Sequence, residues 1–260
     1  MKLILNLDLQ FFAGEKTEKA TPKKRQDGRK KGQVLKSQDV SAAILLLILF
    51  LFLFFIAPSM LEGIISFLTQ ALHRNLLIET VSIETVMKMY TDALQEMAWI
   101  VLPIMVIAMV ASIGANYLQF GLLFTTETLK FDLKKMDPIK GIKKIISVRA
   151  IINLIKSLLK VTLLGVVTFA VIWIYLEEVL ELAFKSPWES LTTVAYLSGL
   201  MGIAAAIMLL LISILDYFYE RYEYEKNLKM SKQDVKDEHK NSEGDPLIKS
   251  KIKQRQREMA

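Results

Sequence analysis

Few side chains in this sequence are equipped for covalent or metal chemistry. Cysteine is absent from all 260 residues, which excludes a disulfide, an iron–sulfur cluster and a thiolate metal site. The two histidines, His73 and His239, fall in segments expected on opposite sides of a membrane, so they read as solvated loop residues rather than as a ligand pair. The sequence holds no phosphate-binding glycine loop, no HExxH, and no serine or cysteine nucleophile with a plausible partner histidine. No catalytic, cofactor or metal site is expected. The remaining polar chemistry lies along the apolar stretches. Asn116 and Gln119 bring amides into one of them, and Lys156, Lys160 and Asp216 stand at the ends of others. The centres of these stretches carry no ionisable residue, and there is no internal repeat, which argues against a proton-coupled transporter or small-solute carrier built from this chain alone.

Those groups must be positioned by membrane helices. With 53% hydrophobic residues the chain is too apolar for an ordinary soluble fold. Uncharged runs cover Val40 to Leu61, Met97 to Thr126, Val161 to Leu176 and Leu191 to Leu215. A helix rising about 1.5 Å per residue crosses a hydrocarbon core of about 30 Å in roughly 20 residues. The third run is short unless Lys156 and Lys160 snorkel to the interface, which adds Ser157 to Leu159. The expected fold is an all-α integral membrane protein with four transmembrane helices, a cytoplasmic amphipathic loop helix and a C-terminal cytoplasmic linker helix. The expected parts are a basic arm over 1–39, a membrane domain over 40–216 with spans at about 40–61, 97–120, 157–176 and 191–215 and a loop at 122–156, and a linker over 217–260. The apolar start MKLILNLDLQFFAG is interrupted by Asn6 and Asp8 and lacks a small-residue cleavage site, so it is not read as a signal peptide. Its period of two fits a docking strand or a disordered tail.

Charge orients the spans. Thirty of the thirty-three basic residues lie before the first span, between Leu122 and Lys160, or after Asp216. The other two loops hold only Arg74, Lys88 and Lys185 among several acidic residues. Four spans with both termini and the middle loop cytoplasmic satisfy this bias, and three or five spans break it. Basic clusters beside spans fit anionic headgroups. Without interleaved aromatics in the N-terminal arm they do not indicate nucleic acid as a partner.

Small residues four apart, Ala108 with Ser112 and Ala111 with Ala115, share the second span with Asn116, and Ser198, Gly202 and Ala206 repeat the spacing in the fourth. Such faces allow close helix approach, within this chain or against partner subunits. Pro103 marks a kink, and the first span is expected to end near Pro58, before an interfacial helix over Leu61 to Leu72. In the middle loop Asp137-Pro138 reads as a helix start, with Ile139, Ile142, Ile145 and Ile146 on one face and Lys140, Lys143 and Lys144 on another; Ser147 is placed to cap the next helix. Tyr217, Phe218, Tyr219, Tyr222 and Tyr224 read as an aromatic belt, followed by a charged helical spacer that Gly244 and Pro246 interrupt as a hinge.

Three long segments carry a resemblance: EKTEKATPKKRQDGRKKGQV at Glu15 to Val34, FDLKKMDPIKGIKKIIS at Phe131 to Ser147, and RYEYEKNLKMSKQDVKDEHKNSEGDP at Arg221 to Pro246. Together they resemble the FlhB/YscU/SctU family of type III export-gate proteins over nearly the whole chain. MSKQDVKDEHK and the LDLQFFAG lead-in favour its flagellar branch over the virulence injectisome. The resemblance implies a multi-pass protein of the bacterial cytoplasmic membrane that packs on FliP, FliQ and FliR type subunits beside FlhA and serves exported flagellar proteins. It also implies that the loop between the second and third spans wraps the gate, with Phe131, Leu133, Asp137, Pro138, Gly141, Ile142, Ile145 and Ile146 as partner-binding residues. Family members continue into a domain that cleaves itself at Asn-Pro-Thr-His. That motif is missing here, so the expectation is a truncated or split form without enzymatic activity.

Overall fold

The computed structural model describes residues 16–76, 82–125, 148–243 and 254–259. The middle-loop residues named above, from Phe131 to Ile146, and the hinge residues Gly244 and Pro246 lie outside the described residues, as does the N-terminal stretch 1–15. The described elements are α1 (Pro22–Lys30), α2 (Gln38–Leu76), α3 (Ile83–Phe120), α4 (Val148–Ile174), α5 (Leu176–Glu181), α6 (Pro187–Leu228) and α7 (Lys232–Glu243). Among the described residues there is no strand, only an isolated antiparallel bridge between Glu18 and Met230.

Four of the helices, α2, α3, α4 and α6, are long and apolar enough to cross a membrane. Local sequence sets their ends. Ser37 accepts from the Val40 N–H at the head of α2, Ser82 from Thr85 N–H at the head of α3, and Gly121 closes α3 with a positive φ of 70° that a side chain would disfavour. At the head of α6 the caps are reciprocal: Ser186 Oγ accepts from Glu189 N–H and Glu189 Oε2 accepts from Ser186 N–H. Those bonds hold the Glu189 carboxyl below the usual carboxylate range.

Two boundaries differ from the sequence expectation. The first helix does not stop near Pro58: α2 continues through Pro58 to Leu76, so the segment read as a separate interfacial helix is its distal part. A proline costs one backbone bond, and helical propensity on either side carries the helix through. Its Leu68 and Leu72 are exposed, as an interfacial segment requires. At the other end of the chain the linker is not one spacer. Helix α6 ends at Leu228, and α7 starts at Lys232 with a second reciprocal cap between Ser231 and Asp234.

The chain forms two compact units. The membrane unit contains the described parts of Lys36–Leu122 and Phe131–Phe218. In it α2 and α6 approach closely enough that a Cβ on Gly202 would lie 2.2 Å from the Phe50 ring and one on Gly199 would lie 2.9 Å from Phe54. Phe54 also meets Tyr196 at 5.7 Å between ring centroids. The other unit contains the described parts of Met1–Leu35, Leu123–Lys130 and Tyr219–Ala260.

Candidate functional site

The polar side chains of the spans converge at one end of the membrane unit. Asp216, near the C-terminal end of the apolar part of α6, accepts from Lys156 Nζ of α4 at 2.6 Å on one carboxylate oxygen and from Ser37 Oγ at 2.8 Å on the other. The Ser37 N–H donates to Gln119 Oε1 of α3 at 2.8 Å, and Gln119 Nε2 donates to Ser41 Oγ at 2.7 Å. Ser41 Oγ donates to Asn116 Oδ1, whose amide nitrogen donates to the Ser112 carbonyl at 2.7 Å. A second ion pair, Lys160 Nζ to Asp39 Oδ2 at 2.5 Å, joins α4 to the first turn of α2. One continuous set of hydrogen bonds therefore reaches all four spans.

The cluster is largely dry: Ser37 is fully buried and Asp216 is 9% exposed. Two lysines meet two aspartates, so the charges balance. Among the described residues no buried side-chain nitrogen or oxygen is left without a partner. Beside it, between α4 and α6, lies a crevice of about 190 Å³ walled chiefly by Ile155, Leu159, Ile212 and Leu215. Among the described residues no three acidic or histidine side chains gather to hold a metal. Its chemistry is to tie helices together.

Lys156 and Lys160, read from sequence as snorkelling, hold aspartates, with their side chains 21% and 22% exposed. Ala115 and Ala206 are each 1% exposed, Gly202 and Ala111 are buried, and Ala108, Ser112 and Asn116 are half-buried. Ser198 is exposed, and Gly199 is the residue facing Phe54. Sequence reasoning missed Ser37, Asp39 and Ser41. The signals were an acid at the head of a span flanked by basic residues and a serine three residues before the first apolar turn.

In the second unit the arm is anchored rather than free. Glu18 and Met230 exchange backbone hydrogen bonds of 3.0 Å each, and Arg25 pairs with both oxygens of Glu225 at 2.6 and 2.8 Å. Gly28 fits against Leu228, itself 4% exposed. The Arg25 hydrogen bond holds the Glu225 carboxyl below its ordinary range, and the same bond raises the guanidinium further.

A model of the FlhB HrpN YscU SpaS Family matches residues 14–260. The flagellar biosynthetic protein FlhB of Bacillus subtilis (strain 168) is 52% identical over 256 residues, covering 98% of this chain and 71% of the relative. The Yop proteins translocation protein U of Yersinia pestis is 34% identical, covering 94% of this chain and 68% of the relative. The flagellar biosynthetic protein FlhB of Aquifex aeolicus is 32% identical, covering 94% and 69%. Because the family match takes in all four spans, the anchored arm and both linker helices, this multi-pass membrane chain belongs to the FlhB HrpN YscU SpaS family.

Proposed function

We propose that the chain is a membrane subunit of the flagellar type III protein export apparatus, located in the bacterial cytoplasmic membrane with both termini cytoplasmic. It packs on a gate of FliP, FliQ and FliR type subunits, near FlhA, and wraps that gate with the stretch 122–156, supporting export of flagellar proteins. Its role is positional and not catalytic. The observation that carries this reading is the family match over residues 14–260 together with 52% identity to a flagellar relative. The 52% identity to the Bacillus flagellar protein, against 34% to the Yersinia translocation protein, supports the flagellar over the injectisome version of the same role.

Two further features support it. Each of the first three spans buries only 6% of its most apolar window within this chain, and the fourth buries 22%, which leaves wide apolar faces for lipid and neighbouring subunits. The basic residues also fall on the side that a cytoplasmic loop and termini require.

The test is to purify a tagged full chain from membranes and identify what accompanies it, then repeat with Gly141→Asp and Ile142→Asp. FliP, FliQ and FliR homologues are expected with the parent chain. The two variants are expected to insert normally but to block secretion of hook protein. Swimming and secretion at parental levels in both variants would remove the loop's role.

A further inference from the structure

The middle loop connects the end of α3 to the start of α4, so the separation of these two helices sets the gap it bridges. Four members of the polar cluster sit on these two helices: Asn116 and Gln119 in the last turns of α3, Lys156 and Lys160 in the third and fourth turns of α4. The route from one helix to the other runs from Lys156 to Asp216, to Ser37, to Gln119. Two of its three steps meet at the Asp216 carboxylate, which offers one oxygen to α4 and the other to the residue bonded to α3.

Apolar packing does not fix the same distance. The crevice beside the cluster separates Ile155 and Leu159 of α4 from Ile212 and Leu215 of α6, so these walls do not interlock there. Ile151, Leu154 and Leu158 on α4 are exposed within the chain. Directional bonds to Asp216 and Asp39 remain to set where the head of α4 stands.

We propose that Asp216 is a positioning residue that holds α3 and α4 at a fixed separation, and so presents the middle loop to its partner. The second half rests on the gate reading above; the first does not. An asparagine here keeps nearly the same volume but carries no charge, so Lys156 loses its counter-charge, and its amide nitrogen can meet Ser37 Oγ only by donating where the carboxylate accepted, which reverses that link.

The chain has no cysteine, so a labelled pair is unambiguous. Spin labels at Leu118→Cys and Ile151→Cys, both exposed, report the separation of α3 and α4 in the full chain in lipid nanodiscs. A narrow distance distribution is expected for the labelled parent, a broad or displaced one for Asp216→Asn, and a narrow one again for Lys156→Asp combined with Asp216→Lys. In cells, secretion should fall about fivefold or more for Asp216→Asn and recover in the swapped pair, with membrane levels of the protein unchanged. An unaltered distance distribution in Asp216→Asn overturns the proposal whatever secretion does. A broadened distribution with normal secretion upholds the positioning role and sinks the gate reading instead. If Asp216→Asn fails to accumulate, Ser37→Ala makes the same measurement, because it cuts the side-chain bond to Asp216 and so interrupts the route to α3 while leaving both the Lys156 pair and the backbone bond to Gln119; unchanged distances there overturn the proposal equally.

Discussion

At the scale of single residues, the strongest pairings are those whose partners lie far apart in sequence. Arg25 and Glu225 form a two-pronged ion pair across 200 positions, yet about two-fifths of each side chain remains exposed. Screening therefore limits its contribution to under about 1 kcal/mol. The sign of its pH dependence follows from the depressed Glu225 carboxyl. The contribution is present above the ordinary carboxylate pKa and is lost as the pH falls through the lower folded value. Amide exchange at Glu18 and Met230 should show protection dropping as the pH falls below the ordinary carboxylate range, and Glu225→Gln should flatten that drop. The sequence displayed both charges but not their pairing, because the ten lysines and arginines of the arm are equivalent partners until the chain folds. The membrane cluster was partly visible for a related reason. Asn116, Gln119, Lys156, Lys160 and Asp216 stand out by type in or beside apolar runs, whereas Ser37 and Ser41 are ordinary helix-start residues whose role depends on what faces them.

At the scale of helices, close approach of α2 and α6 depends on hydrogen atoms where side chains would stand. Gly202→Ala would place a methyl group inside the Phe50 ring, which the helices can relieve only by separating. Overpacking of this kind costs about 1 to 3 kcal/mol, so the purified variant should unfold at lower temperature in detergent. Phe50→Leu should recover part of the loss in the Gly202→Ala background. Gly165→Ala is the control: nothing lies within 4 Å of its Cβ position, and helix propensity alone predicts a gain of about 0.5 to 1 kcal/mol. Apolar runs and caps made four membrane helices legible, since span length depends on bilayer thickness rather than on tertiary contacts. The course of α2 past Pro58 was not, because proline weakens a helix without dictating whether flanking residues continue it. The break at 229–231 was also hidden: it follows from Met230 pairing with Glu18, a contact no local pattern encodes.

For the whole molecule, orientation in the membrane is the property that a cysteine-free chain makes easiest to check. The charge bias predicts that a thiol at Glu178→Cys, on α5, reacts with a membrane-impermeant maleimide added to intact cells lacking an outer barrier, while one at Lys24→Cys reacts only after the membrane is opened. The reverse pattern would remove the cytoplasmic assignment of the arm and middle loop together. The lengths of the helices carry a different consequence. At about 1.5 Å per residue, α2 with 39 residues, α3 with 38 and α6 with 42 each reach roughly twice the hydrocarbon thickness of about 30 Å. For these three, a bilayer thicker or thinner by a few Å only moves the waterline along unbroken helix. The described part of α4, Val148–Ile174, covers about 40 Å, and Lys156 and Lys160 stand inside that length. A change in hydrocarbon thickness moves the waterline across these two lysines, which are fastened to Asp216 and Asp39, so the acyl-chain length of the host membrane becomes a dial on the geometry of the cluster.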